Sequence, residues 1–247
     1  MDYDDFLELV KRRRSIRKFK PNPIPDEYVD KIIEVARWAP SGLNSQPWDF
    51  VIVRKQELKD RIAQIIKENF DVLLDEGHRG VDLTKLSPSD RMDLTTPINV
   101  SYRNAPVFII LFGDIRTKVA LPIPVQSNED LFLNVYISSL ASAFLYMHLA
   151  ATALGLASQW LTAVRLPPVQ SVMKELLGIP GEMEAYDMMV VGYPDAEPRP
   201  KLLRSKEKMV HYDYCGKEDF RTDEEVNDFA RRTKTWTLAT IRREAVN

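Results

Sequence analysis

Apolar positions recur at helical spacing from the start of the chain: Tyr3, Phe6, Leu7 and Val10 share one face, with Asp4 and Asp5 early and Lys11 through Arg14 late. After Pro21, Pro23 and Pro25, acids at Asp26 and Glu27 open a second stripe, Val29, Ile32, Ile33 and Ala36, which must end before Pro40. Residues 49–53 read as a strand, and Leu58, Ile62, Ile65 and Ile66 as a helix reaching about residue 74. The run 105–112 is apolar without alternation and closes on Gly113-Asp114, the pattern of a strand buried on both faces. Ser127 to Asp130 supplies caps and acids for a helix over 131–154, which is apolar almost all round and interleaved with small residues. Such a helix is expected to be buried and to admit close packing, as in a dimer core. A strand and turn over 156–163, a short helix through Val169, Val172, Met173 and Leu176 closed by Gly178, and a strand over 188–193 complete the regular part. The pattern predicts a protein of mixed helices and strands.

Two stretches break the pattern. Residues 75–104 are rich in Gly, Ser, Thr, Asp and Arg and hold no sustained period, so 67–104 reads as a variable lid or as a plain surface loop, with Met92, Leu94 and Tyr102 as candidate contacts. Residues 194–200 are a proline-rich linker, and the charged extension over 213–247 carries only a weak helical stripe at Val226 and Phe229.

At 247 residues a single domain over 1–247 is the default, and 45% hydrophobic against 28% charged residues excludes a disordered chain. Lys and Arg total 34 against 36 Asp and Glu, so no general attraction to nucleic acid or a membrane surface is expected. The lone Cys215 excludes an internal disulfide and suits a reducing compartment. The opening residues are acidic where a secretory leader is basic, and the 131–154 helix carries too many serines for a membrane span; a cytoplasmic protein is expected.

The candidate chemistry lies near the start. Arg12-Arg13-Arg14-Ser15-Ile16-Arg17-Lys18 gathers guanidinium forks around a hydroxyl, which is either a solvated basic face or an oxyanion clamp. A helix C-terminus repels anions, so in a clamp the arginines supply the attraction. Downstream, Ala39-Pro40-Ser41-Gly42-Leu43-Asn44-Ser45-Gln46-Pro47-Trp48 places small and amide residues between two prolines, a capped turn or a loop able to present several hydrogen bonds together. His78, His148 and His211 stand far apart with no ligand spacing among them, so no metal site is expected. His148 reads as a core histidine and Cys215 as an ordinary side chain. Hydrolase elbows, phosphate loops and a Gly-x-Gly-x-x-Gly fingerprint are missing from the sequence.

The pair of motifs Arg13-Arg14-Ser15-Ile16-Arg17 and Ala39 to Trp48, one helix apart, resembles the nitroreductase family of flavoproteins. The resemblance implies an α+β, nitroreductase-like fold, with a central, mostly antiparallel sheet flanked by helices, in an intertwined homodimer with FMN at the subunit interface. It implies NAD(P)H as transient co-substrate and ping-pong transfer to a small-molecule acceptor such as a nitroaromatic or quinone, with the chemistry at flavin N5 and no catalytic side chain required. A dehalogenase or dehydrogenase of the same fold, or a non-catalytic flavin-binding protein, would share these motifs. Carried onto this sequence, the cofactor residues are Arg13, Arg14, Ser15 and Arg17, then Pro40, Ser41, Gly42, Asn44 and Gln46 from the neighbouring subunit. Leu161 and Thr162 fall near flavin N5, and Arg204, with Lys201 second, near the phosphate.

Overall fold

Four antiparallel strands, β1 (Trp48–Val53), β2 (Val107–Asp114), β3 (Ala157–Leu161) and β4 (Met183–Gly192), form one sheet in the order β1-β2-β4-β3. The computed structural model describes residues 2–96 and 100–246. Its helices are α1 (Tyr3–Arg12), α2 (Asp26–Arg37), α3 (Gln56–His78), α4 (Pro88–Thr95), α5 (Ile123–Gln126), α6 (Glu129–Ala153), α7 (Pro167–Leu177) and α8 (Asp223–Val246). The mixed fold with an antiparallel sheet agrees with the expectation from the sequence. By contacts the chain divides into two compact units, residues 1–70 with 100–197 and residues 71–99 with 198–247.

In the larger unit β2 is the spine, because both of its edges are paired and every residue from Val107 to Phe112 is buried. Successive side chains point to opposite faces. Val107, Ile109 and Leu111 join Met189 and Val191 under α2 and α6, with Ile32, Phe144 and Met147 among the covering residues. On the other face Phe108 meets Tyr102 at 5.9 Å between ring centroids and Lys59 Nζ of α3 at 5.9 Å. Tyr102 is therefore a core residue, not the substrate contact its polar surroundings in sequence suggested; burial pushes its hydroxyl well above the ordinary range.

Local caps explain the helix ends. Asn128 accepts from the Leu131 amide at 3.0 Å to open α6, and Gly178 at φ +67 closes α7. The helix α6 meets the length and composition of a membrane span, with mean hydropathy 1.3, yet Phe132, Leu140, Phe144 and Met147 are buried in the core cluster. It is not buried all round: Leu131, Ile137 and Leu145 are exposed and fall on one side at 100° per residue. Gly192 at the end of β4 has no room for a side chain, since an added Cβ would stand 2.5 Å from the Pro106 ring. Gly192→Ala is expected to cost about 1–3 kcal/mol, read as a lowered Tm in thermal unfolding.

In the smaller unit the stretch read as structureless contains α4, opened by Ser87 accepting from the Asp90 amide at 3.2 Å with Pro88 in the first turn. Residues 97–99 of the expected lid lie outside the described residues. α4 is tied to α8 by Lys234, which pairs with Asp90 at 3.0 Å and Asp93 at 2.9 Å, and by Arg242, whose Nε donates to Thr96 Oγ1 at 2.7 Å. Arg199 stacks on Trp236 of α8 at 3.8 Å to the ring centroid. These contacts turn the weak stripe at Val226 and Phe229 into a helix of 24 residues.

Candidate functional site

The basic stretch is fixed by strand pairing. β3 is an edge strand, and Ser15 bridges in parallel to Ser158 on it, the Ile16 amide donating to the Ser158 carbonyl at 3.1 Å. Farther on, Lys20 N donates to Tyr193 O at 3.0 Å and Asp195 N to Lys18 O at 3.0 Å, along the end of β4. Ile16 and Phe19 enter the core as anchors, and between and before them the chain carries the exposed Ser15 and the half-buried Arg13, Arg14 and Arg17. Arg13 caps the C-terminal end of α1, its amide donating to Leu9 O at 3.2 Å. Burial, and then the neighbouring Arg14 charge, pull its guanidinium below the usual range. A cluster of cations with this mutual repulsion is a receptive place for an anion.

Behind the clamp lies a buried polar set of which the sequence disclosed only His148, read as a core histidine, and not its partners. His148 of α6 shares a 2.6 Å hydrogen bond between Nδ1 and Ser158 Oγ, stacks on Trp160 at 5.3 Å and 4°, and leaves Nε2 buried with no partner among the described residues. Burial, helped by the Arg13 charge, pushes it down to about 3, so the ring is neutral. Trp160 Nε1 donates to Asp187 Oδ2 at 2.6 Å, while Asp187 Oδ1 and Gln159 Oε1 are buried with no partner among the described residues. Asp187 is pushed up to about 6, chiefly by burial, against the hydrogen bonds from Trp160 and Thr162 and the Arg165 charge. It sits beside a bulge: Leu111 pairs with Asp187 and Phe112 with Ala185, leaving Tyr186 between them. The only sequence signal was an acid inside an apolar strand.

The loop after α2 is more self-contained than expected. Amides of Asn44 and Ser45 donate to Ser41 O and Gly42 O at 3.0 Å each, Gln46 N donates to Ser41 Oγ at 3.0 Å, and Gly42 N donates to Ser139 Oγ at 3.2 Å. The backbone amides of Gly42, Asn44, Ser45 and Gln46 are thus engaged, and the loop offers outward the exposed side chains of Asn44 and Gln46 beside exposed Pro40. Leu43, Asn44 and Gln46 all have positive φ, +46°, +54° and +44°, a cost of about 1–3 kcal/mol each that functional loops tend to carry. Gly42 is required because a Cβ there would press on Val135 of α6. Since the loop is tied to Ser139 and the clamp reaches His148 through Ser158, they meet α6 nine residues apart, about 13 Å along its axis.

Leu161 is buried at the end of β3, and Thr162 follows it exposed. In the other unit Arg204 donates through Nη2 to Lys208 O at 2.9 Å and Lys201 is exposed. The mixed set His211, Cys215 and Asp219, passed over because histidines were weighed only against one another, converges there.

Residues 10–193 match the family model described as the nitroreductase family. The chain belongs to the nitroreductase family. The matched part contains the clamp, the loop, Leu161 and Thr162, and stops short of Lys201 and Arg204. Human iodotyrosine deiodinase 1 is 30% identical over 205 residues, 82% of this chain and 65% of that protein, so this chain spans 65% of that relative's length. The iodotyrosine deiodinase of Thermotoga neapolitana is also 30% identical over 205 residues, covering 83% and 96%. Among solved structures, a BluB-like flavoprotein from Clostridium difficile 630 shares the nitroreductase fold at TM-score 0.65 and 24% identity, over 86% of this chain and 99% of that one. An iodotyrosine deiodinase bound to FMN and 3-iodo-L-tyrosine superposes at TM-score 0.63 and 25% identity, over 85% and 99%.

Proposed function

We propose that this protein is an FMN-dependent oxidoreductase that passes reducing equivalents from NAD(P)H to a small conjugated acceptor, a nitroaromatic or quinone, as a cytoplasmic homodimer. The carrying observation is the clamp: Arg13, Arg14, Ser15 and Arg17 are held on the edge of β3 by the Ile16 to Ser158 hydrogen bond, with Ile16 and Phe19 as anchors. Forked guanidinium donors beside a hydroxyl match a phosphate monoester in charge and hydrogen-bond number. FMN, when bound, supplies the hydride chemistry, and the protein supplies binding, orientation and electrostatics. Arg13, Arg14, Ser15 and Arg17 would hold its phosphate and Leu161 and Thr162 would face its ring, while Lys201 and Arg204 remain cationic candidates from the sequence alone. The deep-buried His148 stays neutral and adds no charge to the site, so the positive field there is that of the arginines alone.

The homodimer reading rests on two features. Leu131, Ile137 and Leu145 put exposed apolar side chains on one side of α6, interspersed with exposed Asn134 and Ser138, and the loop bearing Pro40, Ser41, Gly42, Asn44 and Gln46 meets α6 about 13 Å along the axis from the clamp. Each site then combines one protomer's clamp with its partner's loop.

The test is the visible spectrum of the purified protein. A yellow sample that bleaches with NADH or NADPH without oxygen, and recolours on adding a nitroaromatic or quinone, is expected. A colourless protein that rejects added FMN overturns the reading. A second reading, reductive dehalogenation, is favoured by the relatives named iodotyrosine deiodinase at 30% identity. Halide release from halogenated phenols by the reduced protein, with no turnover of nitroaromatics, selects it.

A further inference from the structure

The segment after the linker folds back on itself within the smaller unit. Asp213 takes φ +63, the Tyr214 amide donates to Tyr212 O at 2.7 Å, and a short 3-10 turn over Lys217–Asp219 follows. The Asp219 carboxylate accepts the Gly216 amide at 2.8 Å, and the His211 ring packs on Phe220 at 5.8 Å between centroids, so both side chains are oriented. As a result the ligand atoms of His211, Cys215 and Asp219 all lie within 4.8 Å of one another.

Tetrahedral ligands 2.0–2.3 Å from zinc stand roughly 3.3–3.7 Å apart, so the three atoms need to close by no more than about 1.5 Å. An imidazole nitrogen, a sulfur and a carboxylate oxygen suit zinc, whereas magnesium and calcium favour all-oxygen shells. His211 and Asp219 also border a cleft of about 520 Å³ shared with Glu207, Glu218 and Tyr212. The segment lies beyond the residues 10–193 matched to the family.

We propose that His211, Cys215 and Asp219 form a zinc-type divalent cation site whose fourth position opens to this cleft. Bound there, the cation joins residues 211 to 219 into one closed loop, and its binding free energy becomes folding free energy of that loop. The site is independent of the flavin reading and stands or falls without it.

The full-length protein, stripped with a chelator, is titrated with zinc by calorimetry and with cobalt by absorbance. One equivalent of zinc is expected to bind and cobalt to show a thiolate charge-transfer band, with millimolar magnesium failing to compete. Cys215→Ser is expected to abolish that band, and it and His211→Ala each to weaken zinc binding about 100-fold, while His78→Ala leaves it unchanged. Because Cys215 is the chain's single thiol, its alkylation rate gives a second readout on unaltered protein, and zinc is expected to slow it strongly. No saturable zinc binding, equal binding in Cys215→Ser, or alkylation indifferent to zinc overturns the proposal.

Discussion

Arg13→Ala combined with Arg17→Ala is expected to yield a colourless protein, with FMN affinity lowered about a thousand-fold. Each charge-assisted hydrogen bond to phosphate contributes about 1.5–3 kcal/mol net, and two are removed together. Ser15→Ala removes one neutral donor and is expected to weaken binding by about tenfold or less. The fold is expected to survive, because Ile16 and Phe19 remain buried and the Ile16 amide still donates to Ser158 O. Flavin fluorescence titration reads the affinity and thermal unfolding the fold. An unchanged affinity in the double variant removes the clamp from the cofactor site.

Asp187→Asn is expected to stabilise the protein at neutral pH by up to about 3 kcal/mol, the free-energy equivalent of raising a carboxyl from 3.8 to about 6. Burial is the main cause, and the asparagine keeps an acceptor for the Trp160 indole. Between pH 3.8 and about 6 the folded state holds a proton that the unfolded state has lost, so stability falls as pH rises through that window. The gain is therefore full above about pH 6 and vanishes below the ordinary carboxyl range. His148, pushed down to about 3, works in the opposite sense, with stability lost as pH falls from its ordinary 6.5. Comparing variant with parent at each pH cancels that contribution. Urea unfolding at pH 4 and pH 8 checks the prediction, and a gain equal at both values sinks it.

The strong periodic elements were legible because their signals are local. The run 105–112 contains most of the buried spine, Asn128 capped the long helix, and Gly178 ended α7 at positive φ. The helix α8 was underestimated because its order comes from ion pairs to α4, such as Lys234 with Asp90, whose partners lie 144 residues apart. The segment 75–104 hid α4 because Ser87-Pro88, a cap followed by a first-turn proline, went unread among other turn residues. At the site, the arginines and the proline-bounded loop announced themselves by composition. The contacts of His148 with Ser158 and of Trp160 with Asp187 did not, since the pairing of β3 with β4 and the packing of α6 create them.

The pairing of Ser15 and Ile16 with Ser158 also has a colloidal consequence. An uncovered outer strand is a template for sheet growth between molecules, and here the arginine-bearing segment occupies it. A truncation that removes residues 1–20 would strip charge and cover together, leaving a sticky β3 prone to aggregate, so insolubility and cofactor loss would arrive in the same clone.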